Sequence, residues 1–128
     1  MKILADTHCF LWFVNNDPQL STSARNLIVD PANDILLSLA SVWEISVKVG
    51  INKLTLAQPV QLFIRDQTKR NNIKLLNIGL SDVLFVSNLP RHHGDPFDRL
   101  LIAQSLRRSM PIISIDAKFD AYGVDRRF

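Results

Sequence analysis

His92-His93-Gly94-Asp95-Pro96-Phe97-Asp98-Arg99-Leu100-Leu101-Ile102-Ala103-Gln104 opens a helix, and Pro111-Ile112-Ile113-Ser114-Ile115-Asp116, a short way downstream, reads as a buried strand ending in an acid. Asp95 suits the N-cap, where its carboxylate accepts from a free backbone N–H. Pro96 then falls at the first helical position, where a missing N–H costs nothing. Asp98 lands in the first turn, facing the positive end of the helix dipole. Leu100, Leu101, Ala103 and Leu106 repeat at three- and four-residue spacings, so the helix packs along one side. A capped amphipathic helix feeding an apolar strand is the unit of an α/β chain.

The same unit recurs outward from this stretch. Lys2–Ala5 is a short apolar strand ending at Asp6, and Thr7–Val14 a helix broken by Asn15-Asn16-Asp17-Pro18. Ser21–Val29 is a second helix, capped by Ser21 or Ser23 and ended by Asp30-Pro31. Ile35–Leu39 is the next buried strand, and a helix from about Ser41 to Val49 stops at Gly50. Pro59 opens another helix, whose outer face carries Arg65, Asp66, Lys69 and Arg70. Ile73–Ile78 reads as a third strand and Leu80–Leu89 as a helix opened by Ser81-Asp82. After the Asp98 helix, which ends near Arg107-Arg108-Ser109, and the strand at Pro111–Ile115, Ala117–Tyr122 is a turn and Val124 a last edge strand. The strands are continuous apolar runs, as expected where helices cover both faces of a parallel sheet. The expected fold is therefore a single α/β domain, a three-layer αβα arrangement around a mainly parallel sheet of four to five strands. Ligands of such sheets bind in the crevice beyond the strand C-termini.

Bulk properties narrow the chemistry. The 128 residues are 47% hydrophobic, enough for one well-cored domain. A net charge of +3 permits a polyanionic partner without requiring one. Cys9 is the only cysteine, which excludes a disulfide framework or a zinc–thiolate cluster within the chain and suits a reducing cytoplasm. Asp6 interrupts the first apolar run and no small-residue cleavage site follows, so no signal peptide is expected. No stretch approaches the roughly 18–20 apolar residues of a membrane span.

Four acids fall at corresponding places: Asp6 ends the first strand, Asp116 the last, and Glu44 and Asp98 each stand early in a helix. Each has a structural use. Asp6 is placed to cap the helix at Thr7, Glu44 completes a Ser41-x-x-Glu44 capping box or pairs with Lys48, and Asp116 opens a turn. Ser, Thr or Asn would serve as caps equally well, and clustered carboxylates repel and raise one another's pKa values. A divalent cation removes that conflict. Oxygen donors without a cysteine point to Mg²⁺ or Mn²⁺. Such an ion activates water and stabilises charge on a phosphodiester.

Four motifs then carry a resemblance over nearly the whole chain: Ile3-Leu4-Ala5-Asp6-Thr7-His8, Ser41-Val42-Trp43-Glu44-Ile45, His92 to Arg99 with Leu101-Ile102-Ala103-Gln104 behind it, and Ser114-Ile115-Asp116-Ala117-Lys118-Phe119. In order and spacing the chain resembles PIN-domain ribonucleases of the VapC type, the toxins of bacterial type II toxin–antitoxin pairs. The resemblance implies a Mg²⁺- or Mn²⁺-dependent endoribonuclease acting on RNA. On matching positions Asp6 and Asp98 are the core metal ligands, Asp116 binds directly or through water, and Glu44 binds or positions the attacking water. Thr7 and Ser114 are supporting hydroxyls; many relatives carry Thr at the second of these places. Asp95 is a further acid outside that quartet, read as the N-cap, with a role in the site as the alternative. A homodimer and a small antitoxin, laying a peptide in the acidic crevice, are implied as well.

The remaining residues have plainer readings. His92-His93, lacking a third partner nearby, make a poor zinc site and read as loop, with a phosphate contact for His93 as the alternative. Arg99 reads as the partner of a neighbouring acid, with RNA phosphate as the alternative. His8-Cys9 is no thiol dyad, because adjacent side chains on a helix do not face each other. Phe10, Trp12 and Phe13 read as core or dimer surface, and Trp43 as packing. Arg65, Lys69 and Arg70 read as a solvated face, with an RNA-facing patch as the alternative. Two other functions compete. An aspartyl phosphatase or phosphotransferase would use Asp6 as nucleophile, but His8 stands where a second acid is needed. A catalytically silent module would use the same acids to grip a basic peptide.

Overall fold

In the computed structural model, which describes residues 1–128, five parallel strands form one sheet in the order β3-β2-β1-β4-β5. The chain runs β1 (Lys2–Ala5), α1 (Thr7–Val14), α2 (Thr22–Val29), β2 (Asp34–Ser38), α3 (Leu39–Gly50), α4 (Val60–Arg70), β3 (Lys74–Leu76), α5 (Leu80–Phe85), α6 (Pro96–Arg107), β4 (Ile112–Ile113) and β5 (Arg126–Arg127), with 3₁₀ turns at Val86–Asn88 and Ala117–Tyr122. β1 lies at the centre, pairing with β2 through Ile3↔Ile35 and with β4 through Leu4↔Ile112. Strand alternation divides the core. Ile3, Ala5, Ile35, Leu37 and Ile113 join one apolar cluster, and Leu4, Leu36 and Ile112 the other. Both faces are therefore covered by helices, giving the αβα fold. No helix is long and apolar enough to cross a membrane.

Several boundaries differ from the expected ones for local reasons. α3 starts at Leu39, because the Ser38 hydroxyl caps it by accepting from the Ala40 N–H at 3.0 Å. Ser41 is thus inside the helix, and the Ser41-x-x-Glu44 capping box does not form. α3 ends on Gly50, with Ile51 as its C-cap. Asn52 takes up the left-handed conformation there, as Asn16, Asn72 and Ser109 do just past α1, α4 and α6. The third strand is shorter than Ile73–Ile78 and exposed, since β3 is an edge strand paired only with β2. The last strand is Arg126–Arg127 rather than Val124, placed after the left-handed Gly123 turns the chain back.

A polar network absent from the sequence reading ties three of these elements together. Asp82 is fully buried, and its carboxylate takes hydrogen bonds from the Gly79 N–H at 2.9 Å, from Arg107, and from Arg108 at 3.0 Å. Burial alone would raise its pKa, but the Gly79 N–H, the two guanidiniums and the Gln104 amide together hold it below the usual carboxylate range. Gln104, also buried, accepts from Ser38 Oγ at 2.6 Å and donates to Asn77 O at 3.2 Å. Asp82→Ala removes the shared acceptor of the Gly79 N–H and the Arg107 and Arg108 guanidiniums. Urea unfolding should show a loss of about 2–3 kcal/mol, and Arg107→Ala, which leaves Arg108 in place, should lose less.

Candidate active site

The sheet order brings the ends of β1, β2 and β4 side by side, and the acids follow. The Asp6 N–H donates to Ile113 O at 3.0 Å, which fixes the end of β1 against β4. Asp6 then caps α1, accepting from the Cys9 N–H at 2.8 Å. It is buried, with the Ser114 hydroxyl against its carboxyl, and burial raises its pKa despite that hydroxyl and the Cys9 N–H. Ser114 also accepts from the Asp116 N–H at 3.1 Å, shaping the turn that presents Asp116.

Glu44 reaches the crevice from α3. Thr7 Oγ1 donates to its Oε1 at 2.7 Å, and Lys48 Nζ meets its Oε2 at 2.6 Å. Thr7 Oγ1 also lies 2.9 Å from Ser41 Oγ, so one buried hydroxyl pair joins α1 to α3. Of the two structural uses expected for Glu44, the Lys48 pair is present and the capping box is not.

Asp98 is presented by α6. Asp95 caps this helix through the Asp98 N–H at 2.9 Å, with Pro96 in the first turn. The Asp98 carboxyl is pushed up to about 7, first by burial and then by the charges of Asp95, Glu44, Asp6 and Asp116. That ordering places five acids in one electrostatic neighbourhood, although they come from chain positions as far apart as Asp6 and Asp116.

His93 is not plain loop. Its Nε2 lies 3.1 Å from Asp98 Oδ2 and 3.1 Å from Asp116 Oδ2, and its Nδ1 accepts from the Asp95 N–H at 3.1 Å. His93, Asp98 and Asp116 thus bring one ligand atom each to within 4.8 Å of one another, and Asp6 lies close enough to Asp98 for its charge to raise the Asp98 carboxyl. His92 is exposed, with its ring against Tyr122.

Arg99 serves neither of its expected roles. It is buried and donates to the carbonyls of Val86, Leu89, Pro90 and His93 and to the Tyr122 hydroxyl. Its task is to fold the segment that carries His93 back onto α6. The sequence hint was its place one residue after Asp98, which turns it inward on the helix, away from the crevice.

Two further side chains border the acids. Trp43, read as packing, is 54% exposed and meets Phe97 edge-on at 4.7 Å. These rings directly precede Glu44 and Asp98. Cys9 is buried, and its thiol is pushed far up by burial and by Asp6, which removes it as a nucleophile. Arg65 and Lys69 border a separate groove of about 810 Å³ between α3 and α4, floored by Val42, Val60 and Ile64, and no acid lines it.

The donor set fits a hard divalent cation. It is rich in carboxylate oxygen, has no available thiolate, and carries negative charge that the surrounding side chains do not cancel.

The PIN-domain family model matches residues 3–125. No curated relative matches the chain. Among solved structures, a chain of VapBC2 from Rickettsia felis, bound to a DNA fragment from its promoter, is similar at 14% identity with a TM-score of 0.74, over 99% of this chain and 98% of that one. A chain of DNA-bound VapBC from Salmonella typhimurium follows at 13% identity and 0.71, covering 99% and 97%. The FitAcB structure from Neisseria gonorrhoeae shows 16% identity and 0.65, covering 98% and 96%. At these identities the likeness is one of fold, while the family match takes in all four acids first singled out in the sequence: this chain belongs to the PIN-domain family.

Proposed function

We propose that the chain is a Mg²⁺- or Mn²⁺-dependent endoribonuclease and the toxin of a VapC-type toxin–antitoxin pair. The observation that carries this reading is the gathering of Asp95, Glu44, Asp6 and Asp116 around Asp98, whose carboxyl is raised to about 7 first by burial and then by their charges. A fold that gathers five acids with Lys48 paired to only one of them is built to accept a cation. Asp6, Asp98 and Asp116 would hold the ion, with Glu44 beside it. When bound, the ion supplies a lowered water pKa and charge stabilisation at the phosphoryl oxygens.

The chain's own residues prepare that chemistry. Thr7 and Lys48 hold the two oxygens of Glu44, keeping it oriented as an acceptor for a water proton. Ser114 steadies both Asp6 and the Asp116 turn. Asp95 fixes the start of α6 and with it the height of Asp98. The aspartyl phosphotransfer alternative lacks its second acid, since an exposed His8 stands two residues after Asp6.

An antitoxin partner is supported by the solved structures of similar fold, several of which are VapBC and FitAB assemblies. We assign this chain an RNA substrate, a small protein antitoxin, a homodimeric state and a cytoplasmic setting. The groove between α3 and α4 offers an antitoxin an apolar floor with a basic rim, and the exposed Leu80, Val83 and Leu84 of α5 offer an apolar face for a second copy.

Purified protein with Mn²⁺ or Mg²⁺ should cut single-stranded RNA, and EDTA should stop it. Asp6→Asn should lower the rate at least about 100-fold with an unchanged circular dichroism spectrum. Metal-independent silence on every RNA tried, together with tight binding of a basic peptide, would favour the binding-module reading. Thr7→Val, which removes the donor to Glu44, should cost roughly 10–100-fold in rate while metal binding persists.

Burial and charge crowding together set a pH dependence. The folded chain holds the Asp98 proton more tightly than the unfolded chain, because its carboxyl is raised from 3.8 to about 7. The stability this contributes is full below about pH 4 and is lost as pH rises through about 7. In EDTA at about pH 7.5, Asp98→Asn should therefore melt higher than the wild type, by the equivalent of about 2–4 kcal/mol. Near pH 4 the two should converge, and saturating Mn²⁺ should restore the wild type at high pH but not the variant. Thermal melts across the pH range check this.

A further inference from the structure

His93 stands in the middle of the acidic crevice and has no role in the reading above. Its ring is fixed on both sides. On one side Nδ1 accepts the Asp95 N–H at 3.1 Å, so Nδ1 carries no proton. The proton of the neutral ring is then on Nε2, which lies 3.1 Å from one oxygen each of Asp98 and Asp116. The edge of the ring rests on Phe119 at 6.0 Å between centroids, and Arg99 holds the His93 carbonyl. The side chain is 14% exposed, so this is an ordered placement and not a surface rotamer.

This pattern is the reverse of a histidine metal ligand. A ligating imidazole turns a bare nitrogen to the metal and donates its other N–H to a carbonyl or carboxylate. Here the bare nitrogen faces a backbone N–H, and the proton-bearing nitrogen faces the carboxylates. An ion shared by Asp98 and Asp116 would meet the Nε2 proton head-on.

We propose that His93 is a placeholder: its Nε2–H occupies the place between Asp98 and Asp116 that a divalent ion takes, and the ion must displace it to bind. This rests on the metal-site reading above and concerns how that site is filled. Displacement breaks the Nδ1 bond to the Asp95 N–H and the Phe119 contact, so His93 sets a threshold concentration of metal below which the crevice stays closed by its own donor. The exchange involves no covalent step.

The test is Mn²⁺ affinity, read from the free-ion signal in electron paramagnetic resonance, on the wild type, His93→Ala and His93→Gln. The expected result is tighter Mn²⁺ binding by His93→Ala, by roughly tenfold. His93→Gln keeps a donor but has no ring nitrogen for the Asp95 N–H, and should fall between the two, which also covers failure of the alanine variant to fold. Ring ¹⁵N shifts of the metal-free wild type should show a protonated Nε2 and a bare Nδ1, with the ring resonances moving on Mn²⁺-competitive Mg²⁺ addition. Weaker Mn²⁺ binding in either variant would make His93 a ligand and overturn the proposal, as would unchanged affinity or a protonated Nδ1. Absence of Mn²⁺ binding by the wild type and both variants would instead overturn the metal-site reading itself.

Discussion

Repulsion between like charges held under cover is the constraint on which this structure turns. Asp6 is buried, Asp98 is largely so, and Glu44 is buried beside them. Left to itself a chain would separate such groups, because each raises the cost of ionising the next. The fold holds them together through covalent position: each acid starts or sits early on an element whose other end is anchored in the core. The apolar clusters on the two faces of the sheet supply the free energy that keeps the carboxylates close.

The polar scaffolding around the crevice is consistent with that load. Ser38 caps α3, Asp95 caps α6, and Asp6 caps α1, so every helix that presents an acid is fixed at its N-terminus by a side chain. Behind them, Gln104 links the Ser38 cap to Asn77 and Asp82, and Arg99 gathers four carbonyls of the segment before α6. These two buried side chains come from one helix. α6 therefore serves as the post against which both the α3 start and the His93 segment are set. Trp43 and Phe97 close the same junction from the solvent side, next to Glu44 and Asp98.

What could be read in advance depended on whether the signal was local. The Asp95–Pro96 helix start, the Ser21 cap and the apolar runs of β1 and β2 are written in consecutive residues, and they appear where expected. The four acids were legible because carboxylates at strand ends and early helix positions are a poor choice for caps alone. Local rules failed where a distant partner won. Ser41 looked like a cap, but Ser38 holds that place, which turns Ser41 toward Thr7. Gly50 does close α3, but the left-handed residue that follows the helix is Asn52. Ile73–Ile78 looked buried, but the sheet ends at β3, so its outer side has no neighbour.

Sequence by itself determined the alternation of helices and strands, the parallel sheet, and the identities of the acids that line its C-terminal edge, because periodicity, capping and residue chemistry act over a few residues at a time. Tertiary structure alone decided that Arg99 faces carbonyls rather than an acid, that Asp82 is buried among two arginines and a glutamine, and that His93 points its Nε2 between Asp98 and Asp116. Each of those outcomes joins groups far apart in the chain. Which of several possible partners a charged or polar side chain finds is settled only once the sheet order and the packing of α6 have brought the candidates within hydrogen-bond reach.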